Sequence, residues 1–352
     1  MRRDPGAYGP PELWPGEPPA PGGAVRLAER LLWLRLPLPN QRLSHVNLYA
    51  LEDPEGWTLI DSGLDWPTGR KALEALLAGP LEGRPVRRLI LTHHHPDHIG
   101  MAAHLVARGA EIWTSRTAWL FGRMLTLDVQ ERPPEAAILF RRRAGLSNAA
   151  LAAFSEARPF NFADCVTPLP LGFRALEAGD LIEAGGLSWQ VRVGQGHAPD
   201  HLTLWSQDGA YLIAGDQVLP GISSNIGVYP TEPEADPLAG WLESCSRFAA
   251  LGADPLVLPG HQQPFRGLVP RLRALIRSHE EGLARMEAAL EEGEKSTVDL
   301  FPALYRREIM PGESGLALVE AVAHCNHLIR TGRAVRRLSP RGVWLYARAT
   351  GP

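Results

Sequence analysis

At 352 residues the chain is long enough for one large domain and one small one. A hydrophobic content of 45% and a charged content of 21% are those of a folded protein with a packed core, which sets aside a disordered or fibrous chain. A net charge of -3 gives no overall pull toward nucleic acid or an anionic membrane, so either role would need a local patch.

Residues 1–24 are rich in Pro and Gly and carry no apolar core behind Arg2-Arg3. They read as a loose arm over the surface and not as a signal peptide. Residues 25–38, 45–52 and 57–61 read as consecutive antiparallel strands, followed by an amphipathic helix over 67–77 and a buried strand over 86–92. A histidine-rich run comes next, then a helix over 101–108 and a strand over 110–115. Residues 117–163 look helical, with Trp119, Phe121, Phe140, Phe154, Phe160, Phe162 and the basic run Arg141-Arg142-Arg143. Strands return at 186–193, 202–205 and 211–214, then a helix at 238–251 and a short strand at 256–258. This order predicts two sheets packed together with helices outside. Helices at 279–292, 297–305 and 315–331, with a hairpin turning at Ser339-Pro340-Arg341-Gly342, spell a winged helix.

Cys165, Cys245 and Cys325 are isolated, forming neither a disulfide framework nor a paired-cysteine metal knuckle, which fits a reduced, cytoplasmic compartment. No stretch approaches the roughly 20 apolar residues of a membrane span, so no membrane partner is expected.

The chemistry is concentrated in Thr92-His93-His94-His95-Pro96-Asp97-His98. Imidazole nitrogens and a carboxylate oxygen are the usual ligands of Zn²⁺ and similar ions. His93, His95, Asp97 and His98 form H-x-H-x-D-H on a loop between a strand and a helix, where open α/β folds place ligands. The other reading is a solvated histidine-rich turn. His94 is expected to point away. Further ligands must come from other strand ends, and three candidates fit: His197 after Gly196, Asp216 after Gly215, and His261 after Gly260. Each has a bland alternative taken singly, a loop histidine or a capping aspartate. In this order after H-x-H-x-D-H, the bland reading loses.

These motifs resemble the metallo-β-lactamase superfamily over about residues 25–270. The resemblance implies an αββα sandwich of two mixed sheets at 25–277, with 117–163 as a helical insertion or lid and 278–352 as a small winged-helix-like domain. It implies that His93, His95 and His197 hold one metal ion, that Asp97, His98 and His261 hold the other, and that Asp216 bridges both. Asp61, in Leu59-Ile60-Asp61-Ser62-Gly63, matches an early aspartate that steadies the histidine loop. The expected cofactors are two divalent ions, Zn²⁺ first and Mn²⁺ or Fe²⁺ as alternatives. A bridging water acidified from 15.7 toward about 7 would attack the substrate, with Asp97 orienting it or carrying its proton.

Asp216 argues against antibiotic hydrolysis, because β-lactamases of this fold lack a bridging aspartate. Leu219 stands where lactonases tend to carry tyrosine. The histidine run resembles glyoxalase II thioesterases, whereas Gly215–Asn225 resembles a subgroup with a C-terminal winged helix that includes a single-strand RNA endonuclease. Two functions stay open. One is hydrolysis of a small-molecule ester or thioester, with aromatics of 117–163 lining an acyl pocket and its arginines meeting a phosphate-bearing carrier; the same segment reads about equally well as a peripheral helical pair. The other is action on single-stranded RNA, for which Arg330, Arg333, Arg336, Arg337, Arg341 and Arg348 are the candidate contacts. Residues 278–352 carry ten acidic and ten basic side chains, so a structural or dimer-forming domain is favoured over nucleic-acid binding.

Overall fold

The computed structural model describes residues 11–39 and 43–349. Among them, two seven-stranded sheets lie face to face. The first runs, edge to edge, Ala24–Ala28, Leu31–Pro37, His45–Asp53, Gly56–Ile60, Val86–Leu91, Glu111–Thr114 and Arg174–Ala175. The second runs Glu12–Leu13, Phe265–Arg266, Leu256–Pro259, Tyr211–Gly215, His201–Ser206, Leu187–Gly194 and Leu181–Ala184.

Period-two alternation decides which side chain meets which layer. In Leu31–Pro37, Leu31 and Trp33 enter the core between the sheets with Ile60, Ile90, Trp189, Leu204 and Leu258. Leu32, Leu34 and Leu36 point the other way, onto Leu73 and Leu76 of helix Pro67–Ala78. A side chain of this size contributes roughly 1.5–3 kcal/mol when fully buried, so a strand apolar on both faces must be covered on both. Helices Pro237–Ala249 and Leu268–Ala289 cover the second sheet through Trp241, Phe248, Leu272 and Leu275.

Several expectations are corrected. The strand over 25–38 is a hairpin, turning at Glu29-Arg30 so that Val25 faces Trp33. The arm is stitched down where it is described: Glu12–Leu13 pairs with Phe265–Arg266, and the Trp14 N–H donates to the Pro264 carbonyl at 2.7 Å. Residues 1–10 lie outside the described residues. The division at residue 278 falls inside the unbroken helix Leu268–Ala289, so no linker separates the C-terminal unit there. That unit, Phe301–Tyr305, Ser314–Arg330 and the hairpin Ala334–Leu338 with Trp344–Arg348, shares its core with the second sheet through Leu328, Trp344 and Tyr346.

The insertion forms three helices, Arg116–Leu127, Glu135–Arg143 and Asn148–Glu156. Phe140 and Ala144 pack on Val228 and on Leu318, Val319 and Val322 of Ser314–Arg330. Among the described residues, no helix is long and apolar enough to cross a membrane.

Candidate metal centre

The site forms because each sheet contains parallel strands that end at the same edge. Gly56–Ile60 and Val86–Leu91 are parallel, with Ile60 opposite Ile90. Their continuations therefore bring Asp61 beside Thr92. Tyr211–Gly215 and Leu256–Pro259 are also parallel, with Gly215 opposite Pro259, which sets Asp216 beside Gly260-His261. Leu187–Gly194 ends just before Gly196-His197. The two edges are joined by Leu202 N–H donating to the Thr92 carbonyl at 2.8 Å and Asn47 N–H donating to the Gly260 carbonyl at 2.7 Å.

All seven proposed ligands converge. His93 Nε2 lies 3.0 Å from His95 Nδ1, which lies 2.9 Å from His197 Nε2. His261 Nε2 lies 3.2 Å from Asp97 Oδ2 and 3.3 Å from Asp216 Oδ2. His98 Nε2 lies 3.5 Å from Asp216 Oδ1 and 3.8 Å from Asp97 Oδ2, and His197 Nε2 lies 3.6 Å from Asp216 Oδ2. Asp216 thus stands between the two groups.

The hydrogen-bond network assigns the tautomers. Thr92 Oγ1 donates to Asp61 Oδ2, so it accepts from His93 Nδ1 at 3.0 Å. His197 Nδ1 donates to the Asn225 carbonyl at 2.9 Å, and His261 Nδ1 to the His45 carbonyl at 2.8 Å. His98 Nδ1 faces Asp61 Oδ2 at 2.8 Å. In each neutral ring the Nε2 lone pair is left pointing inward. Lone pairs therefore face lone pairs and carboxylate oxygens at about hydrogen-bond distance, and the fully buried His98 Nε2 and Asp216 Oδ1 have no hydrogen-bond partner. Buried acceptors facing one another are costly unless a cation lies between them. The donor set fits two divalent ions, one held by His93, His95 and His197 and one by Asp97, His98 and His261, with Asp216 shared.

The electrostatics differ between the two halves of the site. Burial pushes the His93 and His95 imidazoles well below their ordinary range, with neighbouring rings adding to it, so both stay neutral and able to ligate. At His98 and His261 burial alone would do the same, but Asp216 and Asp97 outweigh it and pull both upward, His261 to about 10. Those carboxylates make that half of the site the more cation-seeking.

Asp61 sits in the left-handed region at φ 64°, unusual for a residue with a side chain. From there it accepts from Thr92 N, Thr92 Oγ1 and His98 Nδ1 at 2.8, 2.9 and 2.8 Å. Its role is to orient His98 and, through Thr92, His93. His94 points away into Phe121 and Phe162, at centroid distances of 5.2 and 6.4 Å.

Sequence reasoning missed His201. It is buried, stacks on His93 at 4.5 Å, and its Nε2 accepts from the Asp216 N–H at 3.1 Å. It also missed Asn47 and Tyr49, which donate to the Pro259 carbonyl at 2.8 and 2.9 Å and hold the turn carrying His261. No signal in the linear sequence marks either one, because both act through a backbone more than 200 residues away.

The aromatics of the insertion divide. Phe140 is buried, Trp119 stacks on Phe173 at 4.8 Å, and Phe154 lies under the Arg141 guanidinium at 3.7 Å. Phe121 and Phe162 lie beside His94, and Phe160, 65% exposed, lies 6.0 Å from Phe162.

Comparison with known proteins agrees with this geometry. The sequence model of the metallo-beta-lactamase superfamily matches residues 42–261, and that of the metallo-beta-lactamase-like C-terminal domain matches 283–349. The chain is 26% identical over 319 residues to a probable metallo-hydrolase of Bacillus subtilis (strain 168), covering 85% of this chain and 92% of that one. It is 25% identical over 231 residues to a linear primary-alkylsulfatase of Pseudomonas sp. (strain ATCC 19151), covering 62% of this chain and 41% of that longer protein. The crystal structure of a beta-lactamase domain protein from Burkholderia ambifaria superposes with a TM-score of 0.88 at 35% identity, over 97% of this chain and 98% of that one. A metallo-beta-lactamase family protein from Thermus thermophilus gives 0.75 at 28% identity, over 92% and 100%.

Proposed function

Because the chain belongs to the metallo-β-lactamase superfamily, we propose that this metallo-hydrolase uses two divalent ions, Zn²⁺ by preference, to hydrolyse a small ester or thioester of an apolar acid. The observation that carries the two-ion reading is the inward-facing set of Nε2 lone pairs around Asp216. When bound, such ions act as Lewis acids that polarise the scissile group and acidify water. The chain does the rest. Asp61, Thr92, His45 and Asn225 fix the ring tautomers, and His201 fixes the backbone of Asp216. The Asp97 side chain is 21% exposed, against 8% or less for His98, His197, Asp216 and His261. It is the more exposed of the two carboxylates, so with Oδ2 turned toward His98 and His261 its other oxygen is suited to hold the nucleophile's proton and pass it to the leaving group.

The support for an apolar acyl group is the exposed Phe160 next to Phe162, since Phe121 and Phe162 themselves pack on His94, which turns away from the ligand cluster. A phosphate-bearing carrier has less support, since Arg141 is engaged over Phe154 and Arg143 over Trp344 at 5.4 Å. The alkylsulfatase relative makes alkyl sulfate esters a useful comparison. The test is a screen of acyl thioesters, carboxylic esters, lactones, alkyl sulfates and single-stranded RNA on protein of known metal content. Turnover of RNA alone would sink the ester reading.

For nucleic acid the support is weak. Asn326, the first Asn, Gln, Arg or Lys on Ser314–Arg330, is buried and donates to the Pro233 and Ala235 carbonyls at 3.0 and 2.9 Å. Arg333, Arg336, Arg337 and Arg348 are ion-paired with Glu287, Glu234, Glu294 and Glu291.

A further inference from the structure

Among the described residues outside the metal centre, one cluster of ligand-type side chains is fully enclosed. His279, Glu320 and His324 are buried and offer ligand atoms within 4.8 Å of one another. Their geometry differs from that of the metal centre. His279 Nδ1 and His324 Nε2 are 3.1 Å apart with ring centroids 5.3 Å apart. His95 and His197 are 2.9 Å apart at the nitrogens, yet only 4.4 Å apart at the centroids. The first pair meets end to end, as an N–H···N hydrogen bond requires, and the second pair converges sideways on a third point.

With both rings neutral, one proton arrangement satisfies this chain. His324 Nδ1 is 2.8 Å from the Glu320 carbonyl, which can only accept, so Nδ1 donates and Nε2 accepts. His279 Nδ1 therefore donates to His324, and its Nε2 accepts from Ser223 Oγ at 3.1 Å. Ser223 opens a tripeptide that backs the metal centre. Ser224 Oγ donates to the Asp216 carbonyl, and the Asn225 carbonyl receives His197 Nδ1 at 2.9 Å. Asn225 Nδ2 in turn donates to the Leu316 carbonyl at 3.2 Å. Val228 N–H reaches the Val319 carbonyl at 3.0 Å, and the buried Arg271 donates to the Leu219 and Ile222 carbonyls at 2.6 and 2.8 Å. The segment from Asp216 to Val228 has no helix or regular strand of its own. It is held by side chains and carbonyls of two helices, Leu268–Ala289 and Ser314–Arg330.

We propose that His279 and His324 are positioning residues for the metal centre: the chain Ser223–His279–His324–Glu320 sets the place of the tripeptide that orients His197 and Asp216. The C-terminal unit is then a working part of the site. This rests on the two-ion reading above.

Cobalt(II) titration of the metal-free full-length protein tests it, followed by visible absorption, which reports the ligand field without any substrate. His279→Ala should lower cobalt affinity about 10–100-fold, the usual range for groups that orient a ligand, and change the spectrum. His279→Gln, whose amide both donates and accepts, should restore most of both. Ser223→Ala removes one hydroxyl from the end of the chain and should produce a smaller change of the same kind, which keeps the test open if His279→Ala does not fold. His327→Ala breaks the His327–Asp236 contact at 3.0 Å on the same helix and serves as the control. It should lower the melting temperature and leave the spectrum unchanged. Wild-type affinity and spectrum in His279→Ala or Ser223→Ala would overturn the proposal, as would equal spectral change in His327→Ala. A third cobalt ion per chain, lost in His279→Ala, would overturn it in favour of a ligand role. Wild-type protein that takes up no cobalt overturns the two-ion reading as well, so the two failures are distinguishable.

Discussion

A Cβ placed on Gly260 would lie 2.2 Å from Asp216 Oδ1 and 2.9 Å from His98 Cε1. Neither neighbour can retreat, since Asp216 is held by its backbone bond to His201 and His98 by Asp61. Gly260→Ala should therefore expel the bridging carboxylate. The expected result is a loss of metal affinity of at least roughly 10–100-fold in a protein that still folds, read by elemental analysis beside a melting curve. Full metal content in Gly260→Ala would place Asp216 wrongly.

Protein purified without chelator should carry about two divalent ions per chain. Their removal should destabilise the fold, because ligands from both sheets are joined by them. Returning Zn²⁺ at about 100 times its dissociation constant should raise stability by roughly 2.7 kcal/mol per site filled, seen as a concentration-dependent rise in melting temperature. A melting curve indifferent to Zn²⁺, Mn²⁺ and Fe²⁺ would contradict this.

Asp61→Asn separates orientation from charge. The amide oxygen can still accept from the Thr92 backbone N–H, but an NH₂ in place of Oδ2 then meets both the Thr92 hydroxyl and the Nδ1–H of His98. His98 must move its proton to Nε2, the atom that would ligate. We expect metal affinity about 10–100-fold weaker, whereas Asp216→Ala should remove one ion outright and nearly all turnover. Equal losses in the two variants would argue against Asp216 as the bridge.

Mixed single- and double-stranded oligonucleotides should not bind appreciably at physiological salt. Micromolar or tighter binding that falls steeply with added salt, and falls again with Arg336→Ala and Arg337→Ala together, would reverse this expectation.

Phe140→Ala should cost about 3–5 kcal/mol, because Phe140 is the buried contact between the insertion and Val228, Leu318 and Val322. Denaturant unfolding measures it directly. A cost under about 1 kcal/mol would mean the insertion is not docked there.

Most of the strands and the converging His and Asp side chains were legible because both leave local marks. Alternation in Leu31–Pro37 and the spacing from His93 to His98 can be read from neighbouring residues. His197, Asp216 and His261 were legible by a weaker mark, a glycine at each strand end. The hairpin turn at Glu29-Arg30 was not, since apolar residues continue on both sides of it. Nor was the continuous helix Leu268–Ala289, because its early turns are buried on one side by the second sheet and its later turns by the C-terminal unit. His201, Asn47, Tyr49 and His279 are ordinary residues in sequence whose roles arise from partners folded against them.

The ligand loops divide between the two halves of the chain: His93 to His98 leave the first sheet, and His197, Asp216 and His261 leave the second. Neither half alone can form either ion's coordination sphere. On the two-ion reading, each sphere would need the two edges joined by the Thr92–Leu202 and Asn47–Gly260 backbone bonds, contacts between residues far apart in sequence whose loop closure is slow. Metal uptake would then report completed folding. A nascent or half-unfolded chain offers scattered histidines to the cell's metal pool, and the finished protein withdraws them into a closed set. Co-translational loading should consequently lag until the strand before His261 has been synthesised and docked.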